Sequence, residues 1–386
     1  MNYEQYKNTT ITHRLFNFET IDQLIKNGNY GDWQHLGNSF LGRPIRMLTL
    51  GNGSIKLMLW SQMHGDEPTA TAAIFDLLDF FTAKSDENDN LRKNILEKCT
   101  LYFIPVVNPD GLESYTRRNA QNIDINRDYL AQQSPEGKIL REIRDTINPL
   151  FCFNLHDQST LYCTETQQQP VAVAFLAPAF DHSRKVNWCR EQAIKVIVCV
   201  MEELQKHIPG KIARFNDEFE PRAFGDNFQK SGSSTILLES GGCFGDDEKQ
   251  TIRKYNFIAL LKAFEVIAQQ SYQEKDVLNY LLIPENKKEI FHLLLKNVLL
   301  SDDRISYRLD IALNYTEVFV AENRTLQKCW TIEDCGDLST FNAYEIIEGS
   351  ALRIGKTIQL NQDANLQVFN NDNQTVHQWN NGTRIL

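Results

Sequence analysis

The sequence predicts an α/β domain over residues 1–272, followed by a smaller β-rich domain over residues 273–386. Three observations carry this. Apolar strand-like runs alternate with helical periods as far as Gln270. Beyond it the runs shorten, turn residues separate them, and the end becomes rich in Asn and Gln. Finally, the turns that close the predicted strands of the first domain carry chemically able side chains, as expected where a sheet gathers a site at one edge.

In order, residues 1–40 are aromatic and polar, with a short helix expected at 19–26. Residues 43–50 and 55–60 read as strands, and Gly51-Asn52-Gly53-Ser54 between them has the chemistry of a hairpin turn. A helix is expected over 69–81, where Ala72, Ala73, Leu77, Leu78 and Phe81 fall at helical spacing. A charged loop at 84–90 leads to a strand at 101–107, which Asn108-Pro109-Asp110-Gly111 ends sharply. Residues 115–129 are polar and lack an apolar period, the mark of a functional or disordered loop. A helix at 134–147 and a strand at 151–155 deliver His156. A strand at 171–176, a helix at 183–207 and a loop-like stretch at 208–232 follow. The strand 235–238 delivers Glu239 and Gly241-Gly242, and a helix over 247–270 closes the pattern. In the tail, apolar runs at 308–313, 317–321 and 344–347 read as short strands.

Composition narrows the function. The chain has 386 residues, 42% hydrophobic and 23% charged, as soluble globular proteins do. A net charge of −10, with no Lys/Arg cluster, argues against a nucleic-acid surface. No apolar run reaches membrane-spanning length and the N-terminus lacks an apolar signal core, so a cytoplasmic protein without a membrane partner is expected. The eight cysteines are scattered, with no Cys-x-x-Cys pair, and read as buried free thiols. Oligomeric state is not legible.

The candidate chemistry lies at the strand ends. His64 and Glu67 sit three residues apart between a strand and a helix, a spacing that lets one short turn offer a metal an imidazole and a carboxylate. His156 and Glu239 each close a later strand, and a carboxylate closing a buried strand needs a partner or a task.

Five short pieces occur in order: His64-Gly-Asp-Glu67, Asn108-Pro-Asp-Gly111, Arg117-Arg-Asn119 with Asp124-Ile-Asn-Arg127, His156, and Glu239 before Gly241-Gly242. Across roughly residues 40–268 the chain resembles the zinc carboxypeptidases of the carboxypeptidase A superfamily, in a non-digestive, bacterial-type form. The resemblance implies a mixed central sheet with helices on both faces and a zinc ion held by His64, Glu67 and His156. It implies Glu239 as general base, Arg117 (or its neighbour Arg118) stabilising the oxyanion, and Asn126 with Arg127 gripping a substrate carboxylate. Asp124 resembles the aspartate that orients a ligand histidine.

Three departures stand out. Asp66 replaces the arginine that digestive members carry before the glutamate, and Asp157-Gln158 follows the third ligand in place of a small residue and a tyrosine. No tyrosine lies between Tyr162 and Tyr255, so the substrate-capping tyrosine has no counterpart. Arg214 and Arg222 are either surface charge or readers of an acidic substrate. The leading expectation is a zinc metallocarboxypeptidase acting on peptides, with cell-wall-type linkages within reach. The alternatives are a zinc-dependent deacylase of small N-acyl amino acids and a zinc-binding protein without activity.

Overall fold

The computed structural model describes residues 2–164, 169–301, 305–349, 352–354 and 358–386. These form two compact units, Met1–Thr160 with Val171–Asn286, and Leu161–Pro170 with Lys287–Leu386. The units therefore divide later than the expected break at 272/273, and a short excursion from the first half of the chain joins the second unit. The reason is local. After the last long helix, Tyr272, Tyr280 and Ile283 are buried in the first unit's core. In the second unit, Leu161 and Cys163 pack with Ile290.

The first unit is built on an eight-stranded sheet. Its strands are β1 (Trp33–Asn38), β2 (Pro44–Leu50), β3 (Ile55–Trp60), β4 (Cys99–Ile104), β5 (Phe151–Asp157), β6 (Val173–Leu176), β7 (Ile212–Arg214) and β8 (Ser234–Ser240). Their spatial order is β1-β2-β4-β3-β5-β8-β6-β7. The pairs β4–β3, β3–β5, β5–β8 and β6–β7 are parallel, while β1–β2, β2–β4 and β8–β6 are antiparallel. The sheet is mixed, as the resemblance implied.

Strand alternation assigns the two faces. Leu57 and Leu59 of β3 join one core with α2 (Thr69–Thr82), α6 (Trp188–Leu204) and α8 (Gln250–Gln269), while Met58 and Trp60 join a second core with α5 (Pro135–Ile147) and α7 (Phe224–Lys230). Helices α1 (Phe18–Asn27) and α3 (Asp89–Lys98) pack on the first face. Two short helices, α4 (Pro109–Ser114) and α9 (Leu278–Leu281), complete the unit. Helix α5 starts where its sequence says it should, with Ser134 Oγ accepting from Gly137 N at 3.1 Å and Pro135 in the first turn.

Several expectations need correction. The segments at 43–50 and 55–60 do not form a hairpin, because β4 lies between them, pairing Phe103 with Leu48 on one side and with Leu59 on the other. The glycines of the connecting turn serve a close approach instead. A Cβ on Gly53 would lie 1.9 Å from the Lys98 carbonyl carbon, and Asn52 N donates to Leu96 O at 3.0 Å. Strand β1, helix α3, strand β7 and helix α7 went unpredicted. The strand expected at 101–107 is shifted to Cys99–Ile104, ending before Pro105, which has no N–H for a ladder. The polar stretch 115–129 is ordered by its own side chains. Asn119 Oδ1 accepts from Gln121 N and Ile123 N, and its Nδ2 donates to Glu136 Oε2 at 2.9 Å.

The second unit is β-rich, with an eight-stranded sheet of its own. Strands β9 (Ile290–Ser301), β10 (Ser306–Val320) and β11 (Thr325–Gly336) form a long antiparallel meander, and β12 (Asn342–Glu348) pairs parallel to β9. The expected short strands at 308–313 and 317–321 are one strand. The polar residues between them stay in the ladder, with Asn314 opposite Thr331 and Tyr315 opposite Trp330. Among the described residues no helix is long and apolar enough to cross a membrane.

A buried ion pair ties the N-terminal segment to the first unit. Asp76 on α2 is fully buried and accepts from Tyr3 Oη and Asn8 N, both at 2.7 Å, and from Arg253 Nε at 2.8 Å. Arg253 Nη2 donates onward to Asn8 O at 3.0 Å. Replacing Asp76 by Ala strands a buried guanidinium. We expect a loss of about 3–5 kcal/mol, read as a lowered urea midpoint for this unit, with Asp76→Asn costing less.

Candidate active site

Parallel pairing brings the strand ends together. His156 near the end of β5 lies in direct register with Glu239 on β8, so both side chains emerge side by side on one face. Strand β3 stops earlier, and residues 61–68 arch over the edge to deliver His64 and Glu67. This arch is held tightly. Gln62 adopts a left-handed φ of 46°, and its Nε2 donates to Gly65 O at 3.0 Å. Asn108 N donates to Gln62 O at 2.9 Å, and Asn108 Nδ2 reaches Met63 O at 3.3 Å. A Cβ on Gly65 would fall 1.9 Å from the Gly111 carbonyl carbon, so only glycine lets the arch rest on α4. The Asn-Pro-Asp-Gly motif therefore positions the arch. Its Asn108 Oδ1 caps α4 by accepting from Gly111 N, while Asp110 accepts from Ser39 Oγ, Leu41 N and Arg43 Nη1.

His64, Glu67 and His156 form a buried cluster able to hold a metal ion, their ligand atoms all within 4.8 Å of one another. Glu67 Oε1 lies 2.7 Å from His64 Nδ1, Glu67 Oε2 lies 2.7 Å from His156 Nδ1, and the two Nδ1 atoms are 3.1 Å apart. In a tetrahedral zinc site with bonds of about 2.0–2.1 Å the ligand atoms stand about 3.3 Å apart, and the two Nδ1 atoms, 3.1 Å apart, come near that spacing. The donor chemistry agrees. Two imidazoles and one carboxylate are a zinc set that leaves a position open, and two ring nitrogens turned toward each other are satisfied by a shared cation. His64 Nε2 lies 3.2 Å from Asp124 Oδ1, which fixes which ring nitrogen faces the cluster. His156 Nε2 is buried and has no hydrogen-bond partner among the described residues.

The electrostatics follow from burial and pairing. Burial disfavours charge on His64, but Glu67 and Asp124 outweigh it and raise its pKa to about 9. Burial would raise Glu67, yet the two histidines hold it well below the carboxylate range. Asp124 is likewise held low against its burial, by His64 and then Arg117. Burial keeps His156 low despite Glu67. Glu239 is pushed well above the ordinary range by burial and then by the Glu67 and Asp157 charges.

Of the two adjacent arginines, Arg117 faces the cluster. Its Nε donates to Asp124 Oδ2 at 3.1 Å, and its Nη1 lies 3.2 Å from Glu67 Oε1. Arg118 turns to its own loop, donating to Asn122 O at 3.0 Å. Asn126 Oδ1 accepts from Phe224 N at 3.0 Å, joining the 3-10 turn Ile125–Arg127 to the start of α7. Arg127 is half-exposed, with Nε 3.4 Å from Glu220 Oε2 and Nη1 donating to Asn126 O. Glu220 is also held by Arg222 Nε at 2.9 Å, while Arg214 pairs with Glu285 at 2.7 Å. Both arginines thus carry carboxylate partners from this chain.

Four participants escaped sequence reading. Glu220 and Asp226 flank Arg127, and Thr69 and Lys249 converge on Asp157. Only Lys249 left a signal, a basic residue at a helix start, where acidic ones are favoured.

A mixed sheet thus carries, at its parallel strand ends, a His-Glu-His cluster that could hold a metal ion. Residues 20–177, less than half of the chain, match the family model described as zinc carboxypeptidase (Peptidase_M14). Carboxypeptidase SOL1 of Arabidopsis thaliana is 36% identical over 106 residues, which is 26% of this chain and 21% of that protein. The matched stretches span about a third or less of the curated relatives' own lengths. Among solved structures, bovine thrombin-activatable fibrinolysis inhibitor, in complex with tick carboxypeptidase inhibitor, superposes with a TM-score of 0.54 at 15% identity, over 68% of this chain and all of that one. A metallo-carboxypeptidase of Burkholderia cenocepacia gives 0.51 at 17% identity, over 66% and 68%. These likenesses establish the fold.

Asp226, at the first turn of α7, accepts from Glu220 N at 3.0 Å and is raised to about 6, chiefly by burial. A raised carboxyl binds its proton more tightly when folded. Its cost to stability is absent below the unfolded pKa near 3.8 and fully present above about 6. Asp226→Asn should therefore stabilise the unit by ~1–3 kcal/mol at about pH 8, the gain vanishing as the pH falls through that window. Denaturant unfolding at several pH values checks it.

Proposed function

We propose that this chain is a zinc-dependent metallocarboxypeptidase, hydrolysing an amide bond next to a carboxylate-bearing end of a peptide. The observation that carries this reading is the His64–Glu67–His156 triangle with Glu239 in register beside His156. His64, Glu67 and His156 would hold the ion. Bound zinc supplies a Lewis acid that acidifies a water and polarises the scissile carbonyl.

The chain's own residues do the rest. Glu239 takes the proton of the attacking water and passes it to the leaving amine, and its buried, like-charged surroundings suit it to hold that proton between the two transfers. Arg117, already turned toward the cluster, stabilises the negative charge that develops on the carbonyl oxygen. Asp124 keeps His64 in one tautomer. Asn126 and Arg127 take the substrate carboxylate, for which a planar guanidinium fork is suited. In the free protein Arg127 leans on Glu220, so substrate competes with, or shares, that contact.

Purified protein should contain one zinc per chain, and His156→Ala should lose it; unchanged zinc in that variant refutes the ligand set. On a peptide that the wild type cleaves, Glu239→Gln should keep its zinc and its Michaelis constant while turnover falls at least ~10²-fold. Arg127→Ala should show the opposite split, raising KM more than it slows the chemistry. An unmoved KM in Arg127→Ala would mean that the substrate presents no carboxylate there, and a deacylase or amidase of another kind would take precedence.

A further inference from the structure

Asp157, the residue after His156, is a junction. Its N–H donates to Glu67 Oε2 at 3.2 Å, and its Oδ2 accepts from Thr69 Oγ1 at 2.6 Å and from Lys249 Nζ at 3.1 Å. Lys249 Nζ also reaches the Ser240 carbonyl at 3.4 Å, one residue beyond Glu239. One buried ion pair thus touches the chain just after His156, just after Glu239 and two residues after Glu67.

Lys249 is kept there against its own preferences. It precedes α8 with a left-handed φ of 51°, where a side-chain-bearing residue other than Asn or Asp is disfavoured. It places an ammonium at the positive end of a helix, where the dipole favours an anion. Its side chain is also only about 10% exposed, so the ammonium it carries is held in largely buried surroundings. Neither the turn, the helix end nor the burial asks for lysine; the Asp157 carboxylate does.

We propose that Lys249 is a positioning residue. By holding Asp157 it locks the two strand ends that carry His156 and Glu239 to the helix start that follows Glu67, so that the zinc ligands and the base keep one mutual geometry. The proposal rests on the preceding reading that the cluster holds zinc. Without the ammonium, Asp157 would be a buried carboxylate with Thr69 alone for a side-chain partner. It would turn toward water and draw its N–H away from Glu67 Oε2.

The test measures zinc release from the zinc-loaded full chain to a coloured chelator, beside kcat and KM on a cleaved peptide. Lys249→Met should release zinc at least ~10-fold faster and lower kcat by a similar factor, with KM within about twofold. Lys249→Arg should restore most of both. Lys249→Met/Asp157→Asn together should do no worse than the more damaging single change, because the two act as one unit. Thr69→Val removes a single hydroxyl, perturbs folding least, and should speed release by a smaller factor. A wild type that takes up no zinc overturns the functional reading and this proposal with it. A wild type that holds zinc, with Lys249→Met and Thr69→Val releasing it at the wild-type rate, overturns the positioning role alone. A loss of thermal stability in Lys249→Met with no change in release or kcat also overturns it, because that is what mere structural support predicts.

Discussion

Glu67 is the constraint around which the first unit's active edge is arranged. The residue is only 7% exposed, and each carboxylate oxygen meets an imidazole nitrogen at 2.7 Å. A buried carboxylate without such partners would cost several kcal/mol, so everything that brings the two histidines to it is under the same demand. One histidine is its own neighbour in the arch. The other arrives on β5, and the parallel ladder that carries β5 also fixes β8 and therefore Glu239. Geometry at the site is thus inherited from strand register, which cannot slip by one residue without turning His156 and Glu239 into the opposite core.

This inheritance explains what was legible beforehand. His64, Glu67, His156 and Glu239 could be found because each lies at or just beyond the end of an apolar run, and apolar runs are the strongest signal a sequence carries. Arg117 and Asp124 lie in a stretch without period, and only the resemblance picked them out. The near-continuous apolar run of β3 likewise marked a buried strand. The hairpin expected from Gly51 to Ser54 failed for an instructive reason. Turn chemistry reports that a chain can bend, not which strand will then lie beside it, and here β4 gains partners on both edges by coming between. Residues such as Glu220 and Asp226 were out of reach because their roles arise from contacts across long stretches of chain, with no local pattern to announce them, and Lys249 left only its charge at a helix start.

Motifs that look catalytic divide, in the structure, into those that touch the cluster and those that hold it. Asn108 and Gly111 carry no chemistry; they bear the arch, and Gly65 is glycine because α4 lies against it. Asn119 knits the polar loop and reaches Glu136, so the stretch that presents Arg117 is rigid without an apolar core of its own. Such support matters because a metal set tolerates errors of only a few tenths of an ångström, and side chains on loops reach that precision only when their backbone is over-determined.

The charge around the site gives the last argument. Glu67 lies in the cluster with Asp66, Asp124, Asp157 and Glu239 around it, and the cations answering them are Arg117, Lys249 and His64, whose pKa is raised to about 9. Five carboxylates against three cations cannot all stay ionised in a buried volume. The excess appears as raised carboxyls: Glu239 is pushed well above its ordinary range, Asp66 is raised to about 6, and Asp157 is raised despite Lys249, burial acting first in each case. A dication placed between His64, Glu67 and His156 supplies what the protein withholds. It would offset the carboxylates beside it and return Glu239 toward the ionised form that a general base needs. On this argument the poor pairing of Glu239 is no defect of packing. A base locked in an ion pair could not take a proton, and a cluster already neutral would have little affinity for zinc.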